Sequence, residues 1–371
     1  MKKEIDHDQE KMPKRKRMNI IKMCLIDVGM LAASMGIFLY FDYLKPQTYS
    51  LEGTTVVSNE KDSATFSLPT ETTSPTPSGA TTSEGSSSAS SNKTSHSMKG
   101  GKKGMGNTGT SEIASDSEAT GTLSTSDITA TKLQSITSDT TNLTITKKEV
   151  GSGSDKITYY VADIYVTNVS SIKSAFAENT YGKNIKTTVE TMAQENNALL
   201  AINGDFYGNS EEGVVIRNGV LYRSNVNDAD ICVLFQDGTM KTYAGNEFDG
   251  DAVIASGAWQ AWNFGPSLLD GNGAVASSFQ TTSYLNSNNP RTAIGYVEAG
   301  HYVMVVVDGR KEGYSRGCSL TELAQFMSLE GCKTAYNLDG GNSSAMIYNG
   351  SYINQPSSGG REVSDIVYVA S

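Results

Sequence analysis

Cysteine and histidine are scarce in this chain. Its 371 residues include four cysteines and three histidines, and only His301 falls in the C-terminal part, where apolar periodicity is sustained. Cys24 sits in an apolar run, which leaves Cys232, Cys318 and Cys332. Cys318 and Cys332 bracket a segment of helical periodicity, roughly 12 residues and about 18 Å long. A disulfide needs Cα atoms within about 7 Å, so these two are not expected to pair. A disulfide scaffold is excluded, and nothing points to a zinc site of Cys and His. Positive charge is also in deficit: 30 Lys and Arg against 40 Asp and Glu, a formal net charge of -10. An acidic chain of this kind is not expected to take nucleic acid as a partner.

Long apolar runs are almost absent, with one exception. "MCLIDVGMLAASMGIFLYF", Met23 to Phe41, follows eight basic residues between Lys2 and Lys22. Nineteen residues at about 1.5 Å each just match a hydrocarbon core of about 30 Å. Asp27 lies near one edge, and Tyr40, Phe41 and Tyr43 suit the other interface. The run reads as a transmembrane anchor over 23–43 behind a cytosolic basic tail, 1–22, with everything beyond it outside the cell. A cleaved signal peptide is the rival, but the run is long for one and no clear cleavage site follows. Residues 44–132 are dominated by Ser, Thr and Gly, and such a tract cannot bury enough apolar surface to offset its ordering entropy. It reads as a disordered stalk, with "MKGGKKGMG" at Met98 to Gly106 as a solubilising patch or a contact for anionic wall polymers.

The remaining residues, 133–371, are long enough for one large domain with a real core. "NLTITKKEV" and "ITYYVADIYV" read as strands, and "HYVMVVVDG" as a strand buried on both faces. Asn218-Gly219, Asp237-Gly238 and Asn349-Gly350 each sit between alternating segments, as two-residue hairpin turns require. One helix is expected in "TTVETMAQENNAL", capped by Thr187 with Glu190 three residues on. Another is expected in "SLTELAQFMSLEG", with Ser319 and Glu322 as a capping box and Gly331 as its stop. The fold class is α+β: a mixed β-sheet with several hairpins and a few helices packed on one face, preceded by one transmembrane helix and a disordered stalk.

Chemistry-bearing residues gather at four strand ends. They are Asn203-Gly204-Asp205, then Arg291 after Asn289-Pro290, then Asp308-Gly309-Arg310, and finally Asp339-Gly340-Gly341-Asn342-Ser343-Ser344. An isolated Asp-Gly at a strand end is most often an ordinary turn. Together they offer guanidinium forks for phosphate, glycine backbone for close approach to an anion, and acids for proton transfer or nucleophilic attack. That combination suits a substrate that is both sugar and phosphate.

These motifs, "AINGDFYG", "VVIRNGVLYR", "NPRTAIGY", "VVVDGR", "GCSLTELAQFM", "NLDGGNSSAMI" and "GGREVSDIVYV", occur in one order from Ala201 to Val369. In that order they resemble the phosphodiester glycosidase family, which includes uncovering-enzyme-like proteins and bacterial proteins linked to exopolysaccharide biosynthesis. Asn342 stands where the family usually has a third glycine. The resemblance implies a hydrolase acting on sugar-1-phosphodiesters in a cell-surface polysaccharide or glycan. Asp339, Asp308, Asp205 and Arg291 are then the candidate catalytic residues. Asp339 and Asp308 are base or nucleophile, Asp205 binds sugar hydroxyls or shares the acid work, and Arg291 with Arg310 holds the phosphate. Asn203, Gly204, Gly340, Gly341, Ser343, Ser344, Arg361 and Glu362 are candidates for substrate binding. An exposed ion pair is an equally good reading of Arg361 and Glu362. No cofactor is required by the sequence, and a divalent cation stays open as a helper. Two other functions compete: a non-catalytic module that binds anionic glycans, and a calcium-binding surface domain, which lacks the dense Asp/Asn ladder of calcium repeats.

Overall fold

The computed structural model describes residues 20–49, 55–56, 63–69, 123–279 and 281–371. The basic tail ahead of residue 20 and the patch at 98–106 lie outside these residues. Near the N-terminus, α1 (Ile20–Leu39) passes into a π-helical turn, Tyr40–Leu44, and Lys45 is extended. Among the described residues, no helix is long and apolar enough to cross a membrane. The span expected over 23–43 is therefore not supported by this helix.

The folded domain begins earlier than 133. β1 (Ile128–Thr137), β2 (Thr141–Val150) and β3 (Ile157–Val166) form an antiparallel meander. β4 (Ile172–Phe176) leaves that sheet, and α2 (Val189–Glu195) leads into β5 (Ala198–Asn203). Two hairpins follow, β6 (Gly213–Arg217) with β7 (Val220–Asn225) and β8 (Ile231–Phe235) with β9 (Met240–Tyr243). They turn at Asn218-Gly219 and Asp237-Gly238, with positive φ at Asn218, Gly219 and Gly238. Then come α3 (Gly250–Ala255), β10 (Ala258–Trp262), the short α4 (Ser283–Asn286), β11 (Arg291–Glu298) and β12 (His301–Val307). Helix α5 (Leu320–Leu329) precedes β13 (Thr334–Asn337), and the chain closes through the hairpin of β14 (Met346–Tyr348) and β15 (Ser351–Tyr352) and the strand β16 (Asp365–Ala370).

These strands form three principal sheets. Their orders are β13-β11-β12-β3-β2-β1, then β9-β8-β10-β6-β7 extended by Thr55–Val56, then β15-β14-β5-β16-β4. The α+β class holds, but the expected mixed sheet does not: the ladders between described strands are antiparallel. The reason is visible at α5. It carries the chain from β12 over β11 to β13, so the two parallel strands have an antiparallel one between them.

Alternation along β3 and β12 builds two cores at once. Tyr160, Ala162, Ile164, Tyr302, Met304 and Val306 face the second and third sheets, meeting Trp259, Trp262, Leu200 and Val367. Tyr159, Val161, Val303 and Val305 face α5, where Tyr159 stacks on Phe326 at 4.2 Å. Helix α2 covers the third sheet and α3 the second. The helices thus occupy outer faces of three sheets rather than one face of a single sheet. The Ser319–Glu322 capping box forms as expected. Helix α2 is capped instead by Thr188, which accepts from the Thr191 N–H, because Thr187 is drawn into a bridge with Val363. The three domain cysteines are free and buried.

Part of the expected stalk is built into the domain. Gln47–Thr48 pairs with Gly182–Lys183, the Tyr49 N–H donates to the Tyr181 carbonyl at 3.2 Å, and the Phe66 N–H donates to the Thr167 carbonyl at 2.7 Å. The approach at Gly182 is so close that an added β-carbon would strike the Gln47 carbonyl oxygen. Gly182→Ala is accordingly expected to lift this segment off. Hydrogen exchange read by mass spectrometry should speed up in the peptide containing Tyr49 and stay unchanged in β12. Equal protection of Tyr49 in both proteins would refute the reading.

Candidate active site

The ends of these sheets meet around Asp339. β13 delivers the acid at the end of a buried run, and Asp339 is 7% exposed. Its Oδ2 accepts from the Ser343 hydroxyl at 2.6 Å and from Arg361 Nη2 at 2.6 Å, and its Oδ1 accepts from the Gly340 N–H at 2.8 Å. Burial pushes its pKa up, while Arg361 and Ser343 pull the other way, leaving it above the ordinary carboxylate range. Asn203, at the end of β5, fixes the loop from behind. Its side-chain amide donates to the Asp339 carbonyl at 2.7 Å, and its Oδ1 accepts from the Thr292 hydroxyl at 2.7 Å. One buried amide thereby joins the third sheet to the first at the site.

In front of Asp339 lies an open cleft of about 180 Å³. Arg291, Arg310 and Arg361 line it together with Asp339, Gly340, Gly341 and Asn342. Arg291 is 2% exposed and spends its Nε and Nη2 on the carbonyls of Cys318, Leu285 and Ser287. Burial lowers its pKa, and the charge of Arg310 acts in the same direction. Arg310 donates only to neutral acceptors: the Asn342 and Asn289 side-chain oxygens and the Tyr284 hydroxyl. Among the described residues, neither Arg291 nor Arg310 has a carboxylate within 4.0 Å. Two uncompensated guanidiniums beside a third that is paired make a cleft that favours anions.

Several expected residues do other work. Asp308 is 1% exposed and does not line the cleft. It accepts from Tyr314, from the Asn354 amide and from the Gln355 N–H, so it pins residues 354–355 to the end of β12. The backbone cradle is also absent. The Gly340 N–H turns to the Asp339 carboxylate, and the Gly341 N–H donates to the Pro290 carbonyl at 2.9 Å. Ser343 serves Asp339 rather than the cleft, and Ser344 is buried 1% exposed beneath the loop.

Asp205 belongs to a group only half visible in the sequence. Its Oδ2 pairs with Arg217 Nη2 at 3.0 Å, and the same Nη2 lies 2.8 Å from Asp365 Oδ2. All three side chains are at most 1% exposed. Gly204 allows this packing, since a β-carbon there would run into the Asp365 carboxyl. Arg217 and Asp365 stood in quoted motifs but were not among the expected site residues. The available signal was an acid heading the otherwise apolar strand "DIVYV". Burial, with Asp205 adding repulsion against the pull of Arg217, pushes the Asp365 pKa up to about 7. An acid raised on folding stabilises most below its unfolded pKa, near 4, and that contribution is lost as pH rises through the folded value. Relative to Asp365→Asn, the parent protein should therefore lose stability between about pH 4 and 7. Urea midpoints of both proteins at pH 4.5 and 7.5 check this, and a constant difference would refute it.

Behind Asp339 and Arg361 is a second, smaller cavity of about 90 Å³. Lys186, Asp205, Phe206, Asn209, Glu362 and Ser364 complete it. Sequence reasoning missed Lys186, which lies well ahead of the quoted motifs. Among the described residues, no cluster of His, Cys, Asp and Glu could hold a metal ion.

Residues 196–370 match the family described as phosphodiester glycosidase. The SPbeta prophage-derived protein YomE of Bacillus subtilis (strain 168) is 36% identical over 185 residues, which are 48% of this chain and 29% of that protein. The N-acetylglucosamine-1-phosphodiester alpha-N-acetylglucosaminidase of Bos taurus is 29% identical over 188 residues, 46% of this chain and 35% of that protein. The chain thus spans about a third of the length of these curated relatives. Among solved structures, the zebrafish N-acetylglucosamine-1-phosphodiester alpha-N-acetylglucosaminidase catalytic domain, auto-inhibited by its pro-peptide, aligns with a TM-score of 0.51 at 20% identity. The alignment covers 66% of this chain and 88% of that one, a likeness of fold.

Proposed function

Since this chain belongs to the phosphodiester glycosidase family through residues 196–370, we propose that it hydrolyses sugar-1-phosphodiesters between the anomeric carbon and the phosphate oxygen. The observation that carries this reading is the cleft itself, which Arg291, Arg310 and Arg361 line together with the single carboxylate of Asp339. The bond from C1 to the bridging oxygen breaks, that oxygen leaves with the phosphate, and water supplies the new hydroxyl on C1. A departing phosphate is a weak base and needs less protonation than a sugar alcohol. The larger task is therefore to stabilise negative charge as it develops, which Arg310, Arg291 and Arg361 do. Asp339 faces the anomeric carbon as base or nucleophile. Asn203 and Ser343 hold it in place.

The test is incubation of the purified full chain with UDP-N-acetylglucosamine and measurement of released N-acetylglucosamine. Arg310→Ala should weaken inhibition by inorganic phosphate about tenfold or more, the magnitude of one charged hydrogen bond. Absence of turnover with every sugar-1-phosphodiester tried would overturn the proposal. The same proposal includes a site of action at the cell surface, on exopolysaccharide or another surface glycan. Its support is the basic cluster Lys2 to Lys22 ahead of an apolar run and the Ser/Thr-rich tract after it. Cell fractionation that finds the chain outside the membrane fraction would remove the anchoring part.

A further inference from the structure

A further cavity, of about 280 Å³, shares no lining residue with the two beside Asp339. Tyr49, Tyr181, Glu211, Tyr222 and Arg223 line it. We propose that it is a second binding site, which takes one neutral sugar unit of a glycan, with Tyr49 and Tyr222 holding the pyranose by its C–H face. The site stands whether or not Asp339 hydrolyses anything. Phe206 and Asn209 line the small cavity behind Asp339, and Glu211, two residues on, lines this one. A glycan held here therefore lies against the same loop that borders the candidate active site.

Three distant segments supply the rings. Tyr49 follows the stretch that pairs with Gly182–Lys183, Tyr181 precedes that pair, and Tyr222 stands in β7. Tyr181 is buried, 8% exposed. Tyr49 and Tyr222 both lie against it, at 5.3 and 4.9 Å between ring centres and tilted by 50° and 48°. Phe176 and Tyr207 also contact Tyr181, so mutual packing fixes the group. A cluster built only for packing would spend its ring faces on one another. Tyr49 and Tyr222 are instead half-buried and border open space. The Tyr49 hydroxyl is sealed from solvent and has no hydrogen-bond partner among the described residues, a placement that costs free energy. Its own hydrogen bonding is therefore not what holds this ring at the cavity.

The charged groups decide what the rings receive. A tyrosine face carries the negative side of its quadrupole, which attracts the polarised C–H groups of a pyranose and also attracts cations. A cation is disfavoured here, because Arg223 lines the cavity and Glu211 already lies 3.2 Å from Lys183. An anion is disfavoured by Glu211, and Arg223 spends its Nε, Nη1 and Nη2 on the carbonyls of Gly213, Tyr207 and Ser210. A neutral ring bearing hydroxyls meets neither penalty. The Glu211 side chain is 66% exposed, and a carboxylate keeps acceptor positions beyond the one that Lys183 uses. The Arg223 guanidinium keeps an N–H beyond its carbonyl contacts. Acceptor and donor thus stand beside the rings. At about 280 Å³, the cavity is near the lower bound of small-molecule sites, about 300 Å³, which suits one sugar unit rather than several.

The experiment measures binding of maltoheptaose, cellopentaose and chitopentaose to the full chain by isothermal calorimetry or ligand-observed NMR, with choline chloride as a cationic probe. At least one oligosaccharide is expected to bind. Tyr49→Ala and Tyr222→Ala should each weaken it about fivefold or more, the size of one aromatic contact. Tyr222→Phe, which keeps the ring, should retain most of the affinity. Gly182→Ala, which lifts the segment carrying Tyr49, should weaken binding as Tyr49→Ala does. Arg310→Ala, in the cleft at Asp339, should leave it unchanged. Melting curves confirm that each variant is folded, and if Tyr222→Ala is not, Tyr49→Ala decides alone. Failure of all three oligosaccharides to bind would overturn the proposal, as would affinity unchanged in Tyr49→Ala. Choline binding that depends on Tyr49, in the absence of sugar binding, would overturn it in favour of a cation cage. None of these readouts needs turnover. A chain that binds glycan in this pattern but hydrolyses nothing would sink the enzyme reading and keep the second site, and an active enzyme whose glycan binding ignores Tyr49 would do the opposite.

Discussion

Asparagine in place of Asp339 is expected to reduce turnover of a sugar-1-phosphodiester by about 10²- to 10⁴-fold, the usual contribution of a positioned acid–base group. The substitution keeps size and shape, so the loop should survive it. The ion pair given up joins Asp339 to an Arg361 side chain that is 43% exposed, and such partly solvated pairs contribute about 1 kcal/mol or less. The melting temperature should therefore move by only a few degrees while activity collapses. pH adds a second signature. Both roles open to Asp339 need the ionised form, so activity should rise with pH through an inflection above the ordinary carboxylate range, because burial raises this pKa. Arg361 opposes that rise, so Arg361→Met should move the inflection to still higher pH. Retained activity in Asp339→Asn, or an inflection moving downward in Arg361→Met, would remove Asp339 from the chemistry.

Arg217→Met should cost about 3–5 kcal/mol of folding stability, the range for removing one partner of a buried ion pair. Arg217 is 1% exposed, and its Nε and Nη2 lie 2.9 and 2.8 Å from Asp365 Oδ2. Its Nη1 donates to the carbonyls of Ile216 and Ala261 within the second sheet, so the contacts with Asp365 tie that sheet to the third. Methionine fills similar volume but leaves Asp205 and Asp365 facing each other without a cation. Asp365 then loses the cation that favours its ionised form, so the deficit should be smaller at pH 5 than at pH 8. Converting Asp205 and Asp365 to asparagine as well should recover much of the loss. Urea unfolding at the two pH values measures it. A loss below about 1 kcal/mol, the figure for a surface pair, would show that the triad is not the buried device described.

Local structure was largely legible in the chain. Asn218-Gly219 and Asn349-Gly350 mark two hairpins because a two-residue turn needs positive φ at both positions, whereas the β8–β9 hairpin turns through residues 236–238 with positive φ at Gly238 alone. Ser319 and Glu322 mark the start of α5 because their side chains satisfy N–H groups that no helix satisfies itself. The nearly unbroken apolar run of β12 announced a strand covered on both faces. Each of these depends on neighbours within a few positions, and such information is written along the chain.

The partner of each acid is not written there. Asp308, Asp339 and Asp365 all sit at strand ends and look equivalent in sequence. Folding gives the first to Asn354 and Gln355, the second to Arg361 at a cleft, and the third to a fully buried Arg217. Lys186 reaches the site only because the connection ahead of α2 passes behind Asp339. A carboxyl group's chemistry is set by the charges and solvent within a few ångströms of it. In a domain of three sheets those neighbours come from separate segments, 22 residues apart for Asp339 and Arg361 and 148 for Asp365 and Arg217, so only the tertiary structure decides which acid is exposed to substrate and which is sealed in the core.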